Sequence, residues 1–460
     1  MGAPDAEQID RARNSERLPT TTKIVYGMGD HTVNLALSSL SFIFPWFLTE
    51  IAGVTAGMAG LVPLVGRAVD AFSDPAMGRL SDQTRWRSGR RRPYLLIGMF
   101  PFGLAYAALW WDVPVDGQWL RFAYYAAVYA LFALAMTVIS VPYLSLIPEL
   151  TQSYQERTSI NAYRSSWAIL GTLLAVTTMR PLAEALGGGR EGFALAGMIF
   201  GAWMVLPWIP VFAVSFERKD YQRPSQTGFV EGLRSLAGHS SYRTLVGLYL
   251  LGRVAIDLAT VMFLYYFTYW LGRPDDFEIT MGLFLVSVVV SFPFWVRISK
   301  STDKRTIFLL GAASWIVSQV FLLAATPDWP RLAILVGATI AGVGYAAADM
   351  IPWSMLGEVV DEDELLTGER REGLYYGFFT FLRKLGGAGG VALALWALEL
   401  SGYVAGQPQD EATLWTIRVL TAGAPGVFVL LAALVALRYP LSRRRHQEIL
   451  EQLHARRLVS

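Results

Sequence analysis

Apolar runs recur along nearly the whole chain, and each is long enough to cross a lipid bilayer as a helix. A helix needs about 20 apolar residues to cross the hydrocarbon core, and the 460 residues contain about twelve such runs. Their approximate extents are 24–49, 54–80, 94–111, 121–148, 160–180, 193–215, 243–271, 279–297, 307–325, 331–357, 373–400 and 414–438. Only 17% of the residues are charged, against roughly 25% in an ordinary soluble domain. The sequence therefore predicts an all-α polytopic membrane protein with twelve transmembrane helices.

Basic residues gather in alternate loops. They concentrate in 79–93, 217–243 and 297–306 and in the C-terminal tail, whereas the intervening loops are nearly free of them. Since Lys and Arg stay on the cytoplasmic side, we expect both termini to lie in the cytoplasm. The membrane is expected to be the cell inner (plasma) membrane. The polar first segment lacks the apolar stretch of a cleavable signal, so the first apolar run is expected to stay as a helix. Contact with lipid headgroups explains the Arg-rich loops, and nucleic-acid binding does not fit a chain with so many spans.

The loop after the second apolar run is weakly similar in sequence to the loop after the eighth. The first reads "MGRLSDQTRWRSGRRRPYLLIG" and the second "VRISKSTDKRTIFLLG". This predicts a tail at 1–22, a six-helix bundle at 23–216, a cytoplasmic linker at 217–242, a second bundle at 243–438 and a basic tail at 439–460. The layout resembles the major facilitator superfamily, whose two six-helix bundles rock about a site near the bilayer midplane.

Two acids lie one helical turn apart inside the second apolar run, in the stretch "GRAVDAFSDP". A carboxylate at the bilayer centre costs about 3 kcal/mol on insertion scales, so such a residue usually faces the protein interior and carries function. Asp70 and Asp74 share one helix face, and Pro75 is expected to disturb the helix nearby. Because the acids repel each other, the pair should hold a proton or a cation. Sodium prefers oxygen ligands, by analogy with other hard cations. Hydroxyls on the second and fourth spans could supply them: Ser73, Thr137 and Ser140.

The alternative is a static ion pair, in which Arg67 or another basic residue neutralises the acids. A buried bridge of this kind is weak evidence of stability.

An enzyme is not expected. The chain has no cysteine, only four His, no metal-ligand spacing, and neither a GxSxG nor a P-loop motif. A sensor that keeps the fold without moving a solute remains a rival to a carrier.

Other polar residues fall inside the predicted spans. Arg253 and Asp257 are spaced to pair with each other, which favours a packing role. His31 is expected to be structural, within a turn of the start of the first helix, and Asp30 could be an acid favoured by the dipole there. Lys384 precedes the small-residue stretch "LGGAGGVALA", where a buried ammonium needs an anion, and the acid pair could provide it. The remaining members of this set are Asn34, Arg164, Asp349 and Arg383.

Five ordered blocks of the chain resemble the glycoside-pentoside-hexuronide:cation symporter family of the major facilitator superfamily. The resemblance runs from about residue 20 to the C-terminal tail. The blocks are "YGMGDHTVN", "GRAVDAFSDPAMGRLSDQTRWRSGRRRPYLLIG", "SVPYLSLIPELTQSYQERTSINAYRSS", "IPWSMLGEVVDEDELLTGERREGLYYGFFTFLRKLGG" and "SGYV".

The resemblance implies the coupling apparatus position by position. The two acids on the family's second helix, which bind the coupling cation, fall on Asp70 and Asp74, and its cation-site Thr falls on Thr137. The fifth-helix Arg near the sugar falls on Arg164, and the eleventh-helix Lys falls on Lys384.

The sugar-binding residues depart from the galactoside-carrying members of the family. Their Lys-Asp pair on the first helix becomes Val33 and Asn34, their fourth-helix Asp becomes Ser140, and the Trp one turn later becomes Leu144. Their aromatic platform on the tenth helix corresponds to Asp349, with Trp353 a turn away. The resemblance therefore implies the coupling mechanism and leaves the solute open.

Together these observations predict a Na+- or H+-coupled symporter for a glycoside, sugar or uronide. Sodium, if it is the coupling ion, would bind at Asp70 and Asp74. The alternative is a sodium-dependent lysophospholipid symporter or flippase. No cofactor beyond the coupling cation is expected. The predicted partners are a small or amphiphilic substrate and membrane lipid, and the chain is expected to act as a monomer.

Overall fold

The computed structural model describes residues 17–151, 154–217, 238–299, 301–368 and 371–459. Most of the predicted linker, at 218–237, and most of the predicted N-terminal tail, at 1–16, lie outside the described residues. The chain divides into two compact units, Met1–Pro224 and Ser225–Ser460. The predicted domain boundaries stay a prediction.

Helices build the first unit because its apolar runs lack the alternation of a strand, and glycines with positive φ, Gly53, Gly117 and Gly188, lie between them. The bounds are α1 Thr20–Phe42, α2 Phe44–Glu50, α3 Ala56–Gln83, α4 Arg92–Leu109, α5 Gln118–Leu150, α6 Tyr154–Ala185, α7 Gly189–Val205 and α8 Trp208–Val214.

The second unit is built in the same way. Its helices are α9 Ser240–Tyr265, α10 Phe277–Ser299, α11 Lys304–Ala324, α12 Arg331–Thr367, α13 Glu372–Leu400, α14 Glu411–Arg418, α15 Ala424–Ala436 and α16 Arg443–Val459. Short π-helical turns, Tyr266–Trp270 and Val419–Gly423, follow α9 and α14. The tail helix α16 packs on the long helix α12.

Eight helices in the described residues are long and apolar enough to cross a membrane, and nine are if the bent pair α1 and α2 is one span. The predicted spans 54–80, 94–111 and 160–180 are also helical, as α3, α4 and α6, but are not among these. In α3 the charged side chains of Arg67, Asp70 and Asp74 make the helix more polar. The count of twelve spans therefore stays a prediction.

Each unit buries an apolar core between its helices. In the first unit α1 packs along α6, and α5 packs against both α3 and α4. In the second unit α9 packs against α13 and α15, while α12 packs against α10 and α11. Large exposed apolar side chains on the outer faces, such as Phe72, Leu104 and Val290, fit a lipid surround.

Two expectations about the first helix are wrong. Because α1 begins at Thr20, Asp30 and His31 lie roughly three turns inside it and not at its start. Asp30 therefore cannot be a helix-start acid held by the dipole.

Candidate functional site

Asp70 and Asp74 lie on α3, which runs continuously through Pro63 and Pro75. The expected disturbance at Pro75 therefore does not end the helix. Asp70 is buried, at 4% exposure, and Asp74 is half-buried. The Arg67 Nη1 donates to Asp70 Oδ2 at 3.0 Å, so the ion pair considered as an alternative forms for Asp70.

The second acid, Asp74, is linked through one hydroxyl to another. Thr137 of α5 is buried and donates through Oγ1 to Asp74 Oδ1 at 2.7 Å. The Ser73 hydroxyl lies 3.2 Å from the Thr137 hydroxyl. The side-chain hydroxyl of Ser140, half-buried one turn further along α5, forms no hydrogen bond with any described residue. The structure thus groups Asp74, Ser73 and Thr137 and leaves Ser140 outside the group.

A second polar cluster joins α1, α5 and α6. The guanidinium of Arg164 binds both carboxylate oxygens of Asp30, with Nε to Oδ2 at 2.5 Å and Nη2 to Oδ1 at 2.9 Å. The Tyr143 hydroxyl lies 2.7 Å from Asp30 Oδ2 and 2.7 Å from the carbonyl oxygen of Tyr26. Arg164 also lies over the ring of Tyr143, 5.3 Å from its centroid. The arrangement is a bidentate ion pair with an aromatic wall.

Asn34 and His31 have local roles on the same helix. Asn34 Nδ2 donates to the carbonyl oxygen of Asp30 at 2.8 Å, one turn back along α1. His31 is buried between Trp167 and Trp203 and accepts a hydrogen bond from Trp203 Nε1 at 3.1 Å. These contacts fit the structural role expected for His31, which stays a prediction.

In the second unit Arg253 and Asp257 form the ion pair that their spacing predicts. Arg253 Nε donates to Asp257 Oδ2 at 2.7 Å, and a second bond joins Nη2 to Oδ1. Asp349 of α12 is half-buried beside Arg253 at a cavity of about 10 Å³, the lower limit for one water molecule. Tyr249 lines the same cavity.

Trp353 belongs to an aromatic cluster that faces this region. Its ring packs edge-on against Tyr249 at 5.9 Å and against Phe379 at 5.1 Å, while Tyr249 and Phe379 stack at 4.1 Å. Tyr249 and Phe379 are buried and Trp353 is half-buried. Trp353 is thus the accessible member of the cluster.

Lys384 lies on α13, ahead of a glycine-rich face that packs on α9. A Cβ placed at Gly387 would lie 2.6 Å from Asp257 Oδ2, so the close approach requires glycine. Lys384 itself is half-buried, not enclosed as expected, and the neighbouring Arg383 is exposed. Because Lys384 and the acids of α3 belong to different units, their pairing stays a prediction.

Sequence reasoning missed Tyr26 and Tyr143, which complete the Asp30 cluster, and Tyr249 and Phe379, which surround Trp353. A signal was available, because a hydroxyl within an apolar run must find a partner when buried. Within the described ranges no three His, Asp or Glu side chains converge on a common metal position. A cation on α3 would therefore depend on carboxylate and hydroxyl oxygens together.

The two units of helices and their buried charges define a membrane transporter of the major facilitator type. A D-xylose–proton symporter structure matches 91% of this chain and 97% of its own, with a TM-score of 0.66 at 14% identity. At that identity the likeness shows the fold alone.

The chain belongs to the MFS/sugar transport protein family, which matches residues 25–443. It is similar to the inner membrane symporter YicJ of Escherichia coli, with 31% identity over 95% of this chain and 96% of that protein. It is also similar to sodium-dependent lysophosphatidylcholine symporter 1-B of Danio rerio, with 26% identity over 97% and 91% of the two chains. The chain is a polytopic membrane transporter and not an enzyme.

Proposed function

We propose that the chain is a cation-coupled symporter that takes up a glycoside, sugar or uronide by alternating access. The observation that carries this proposal is a chain of oxygens, in which the Thr137 hydroxyl donates to the carboxylate of Asp74 and the Ser73 hydroxyl lies beside that of Thr137. An acid inside a membrane protein is costly unless it is neutralised, and three oxygen-bearing side chains at one place supply ligands for a small cation. The sugar-transport description of the family and the symporter relatives support the same function.

The cation would act by differential affinity for the two states of the carrier. Neutralising Asp74, together with the Arg67–Asp70 pair, lowers the free energy of closing the site from water. A cation that binds one state more tightly shifts the population toward that state, and the solute adds its own preference. Hydroxyl ligands favour Na+ as the coupling ion, whereas a proton would need only the carboxylate.

Arg164 would contact the solute, held in position by Asp30 and Tyr143. A guanidinium fixed by a bidentate carboxylate still has donors to offer a hydroxyl or carboxylate of a sugar or uronide. Asn34, Ser140 and Lys384 and the pair Asp349 and Trp353 remain proposed solute or coupling residues.

Uptake by proteoliposomes tests the proposal. Purified protein is given an inward Na+ gradient, an inward H+ gradient or neither, with a panel of labelled glycosides, uronides and lysophospholipids. We expect accumulation of a sugar-class solute with one gradient and its loss in Asp74→Asn. The matched control is Asp116→Asn, which removes an exposed loop acid. Gradient-driven accumulation at the wild-type level by Asp74→Asn would refute the cation site.

A lysophospholipid is the second candidate solute, because the relatives named sodium-dependent lysophosphatidylcholine symporters match nearly the whole chain. Leu144, where galactoside carriers have a Trp, is 49% exposed and could lie along an acyl chain. Sodium-driven uptake of lysophosphatidylcholine, with no sugar accumulated, would select this candidate.

We further propose that the protein resides in a bacterial inner membrane with both termini in the cytoplasm. The basic loop 79–93 and the name of the relative YicJ support this orientation and location. Because the chain has no cysteine, single-cysteine variants at Arg87 and at Asp116 can be labelled with an impermeant maleimide. In intact spheroplasts we expect label at position 116 only.

A further inference from the structure

The loop between α3 and α4 lines an open cavity of about 490 Å³ that the proposed transport function does not use. It lies wholly within the first unit, between the turn at 84–92 and the chain that follows α8. Its size falls within the range of sites that bind small molecules or headgroups.

The loop is held in a defined shape. The Gly89 N–H donates to the carbonyl oxygen of Trp86 at 3.1 Å, which closes a tight turn, and Gly89 has φ +115°. That φ favours glycine, and a Cβ there would also lie 2.5 Å from Glu217 Oε1. The Glu217 carboxylate accepts the backbone N–H groups of Arg90, Arg91 and Arg92 at 2.8 to 2.9 Å. The N-terminus of α4 is thereby already capped by Glu217, which also lines the cavity, so those N–H groups are not available to a ligand.

Positive charge dominates the cavity wall. Arg90 binds the buried Glu149 at 2.6 Å, and Arg92 Nη2 donates to the carbonyl oxygen of Phe212 at 2.9 Å. Arg85 and Arg87, also on the wall, are exposed and form no ion pair within the part of the chain that the structure describes. Two guanidinium groups on the two sides of Trp86 thus have donors available for an anion, and their planar geometry suits a phosphate.

Aromatic side chains line the same cavity. Trp86 is 49% exposed and stacks on Tyr94 at 5.4 Å, and Phe216 is 37% exposed. The loop begins where the predicted span 54–80 ends, so these rings lie at the level where aromatic residues meet the lipid interface. A soluble phosphate would gain little from an apolar rim, whereas a lipid places its glycerol and upper acyl chains there.

We propose that this cavity binds the phosphate of an anionic glycerophospholipid, with Arg85 and Arg87 on the phosphate and Trp86 and Phe216 on the glycerol region. The site is independent of the solute and of the coupling cation.

Lipid binding to the purified full-length protein tests the proposal. Delipidated protein in detergent is titrated with short-chain phosphatidylglycerol, phosphatidylcholine or inorganic phosphate. Retained lipid is measured by native mass spectrometry and stabilisation by thermal shift. For the double variant Arg85→Gln/Arg87→Gln we expect about a tenfold weaker apparent affinity for phosphatidylglycerol, since two charge-assisted contacts are lost. Both residues are exposed, so the variant should fold.

The matched control is Arg297→Gln/Arg305→Gln, which removes the same charge from the ends of α10 and α11 beside the corresponding loop of the second unit. It should bind phosphatidylglycerol as the wild type does. Trp86→Ala should weaken phosphatidylglycerol binding without changing binding of inorganic phosphate. Unchanged affinity in Arg85→Gln/Arg87→Gln would overturn the proposal. So would equal stabilisation by inorganic phosphate or by phosphatidylcholine, because the anionic lipid would then not be the ligand.

Discussion

The hydroxyl of Thr137 on α5 donates to the carboxylate of Asp74 on α3 across 2.7 Å. This bond joins two helices of the first unit at the place where an acid would otherwise lie against apolar side chains. Since its proton is given to Asp74, the Thr137 oxygen can accept from the Ser73 hydroxyl 3.2 Å away and offer its other lone pair to a cation beside the carboxylate.

Thr137→Ala should raise the half-saturating cation concentration for transport about fivefold, because one oxygen ligand worth about 1 kcal/mol is lost. Thr137→Ser should restore most of the affinity, since it keeps the hydroxyl. Thr177→Ala on α6 is the matched control, because that hydroxyl bonds the Leu173 carbonyl of its own helix. An unchanged cation dependence in Thr137→Ala, measured as uptake against Na+ and against pH, would remove Thr137 from the site.

Arg67→Gln should make the protein less stable without sodium and should increase the stabilisation that sodium gives. The Asp70 carboxylate is buried and would lose its charged partner at 3.0 Å, and removal of one partner of a buried pair is costly. A bound cation would compensate for the lost charge, so the sodium-induced rise in melting temperature should exceed that of the wild type. A rise equal to that of the wild type, in detergent with choline as the balancing ion, would show that Arg67 and the cation do not compete.

The Asp30–Arg164 pair should give a strongly non-additive mutant cycle. Arg164→Gln alone should destabilise by about 2 kcal/mol, because the half-buried Asp30 carboxylate would lose its charged partner. Asp30→Asn/Arg164→Gln should cost less than the sum of the single changes. Unfolding in mixed micelles with increasing dodecyl sulfate measures all three variants. Additive costs would mean that the bidentate contact contributes no coupling free energy.

Stability at low pH should depend on Glu156, at the cytoplasmic start of α6 on the proposed orientation. Burial raises the pKa of Glu156, but the Lys23 ammonium at 2.7 Å and the Leu18 N–H outweigh it and hold the pKa below its usual value. The pair therefore stabilises the fold above the unfolded-state pKa of about 4.3, and this contribution is lost as the pH falls through the lower folded-state pKa. Glu156→Gln should flatten the loss of melting temperature between about pH 5 and pH 3. An unchanged slope would assign the acid sensitivity to other carboxylates.

Local features could be predicted wherever the interaction is set by spacing along one helix. The run 243–271 corresponds closely to the helical stretch Ser240–Trp270, because about 20 apolar residues leave few alternatives in lipid. The Arg253–Asp257 pair forms because residues four apart share a helix face. The same rule predicted Arg67 as a possible partner of Asp70, and the two form an ion pair.

The sequence by itself determined which segments are helical and which charged residues must be accommodated among them. Only the tertiary structure decided that Thr137 and not Ser140 reaches Asp74, and that Asp30 binds Arg164 and Tyr143 rather than lying at a helix start. These contacts join residues on different helices. Their geometry depends on the rotation and axial position of each helix against its neighbours, which side-chain packing sets and a single helix's periodicity does not.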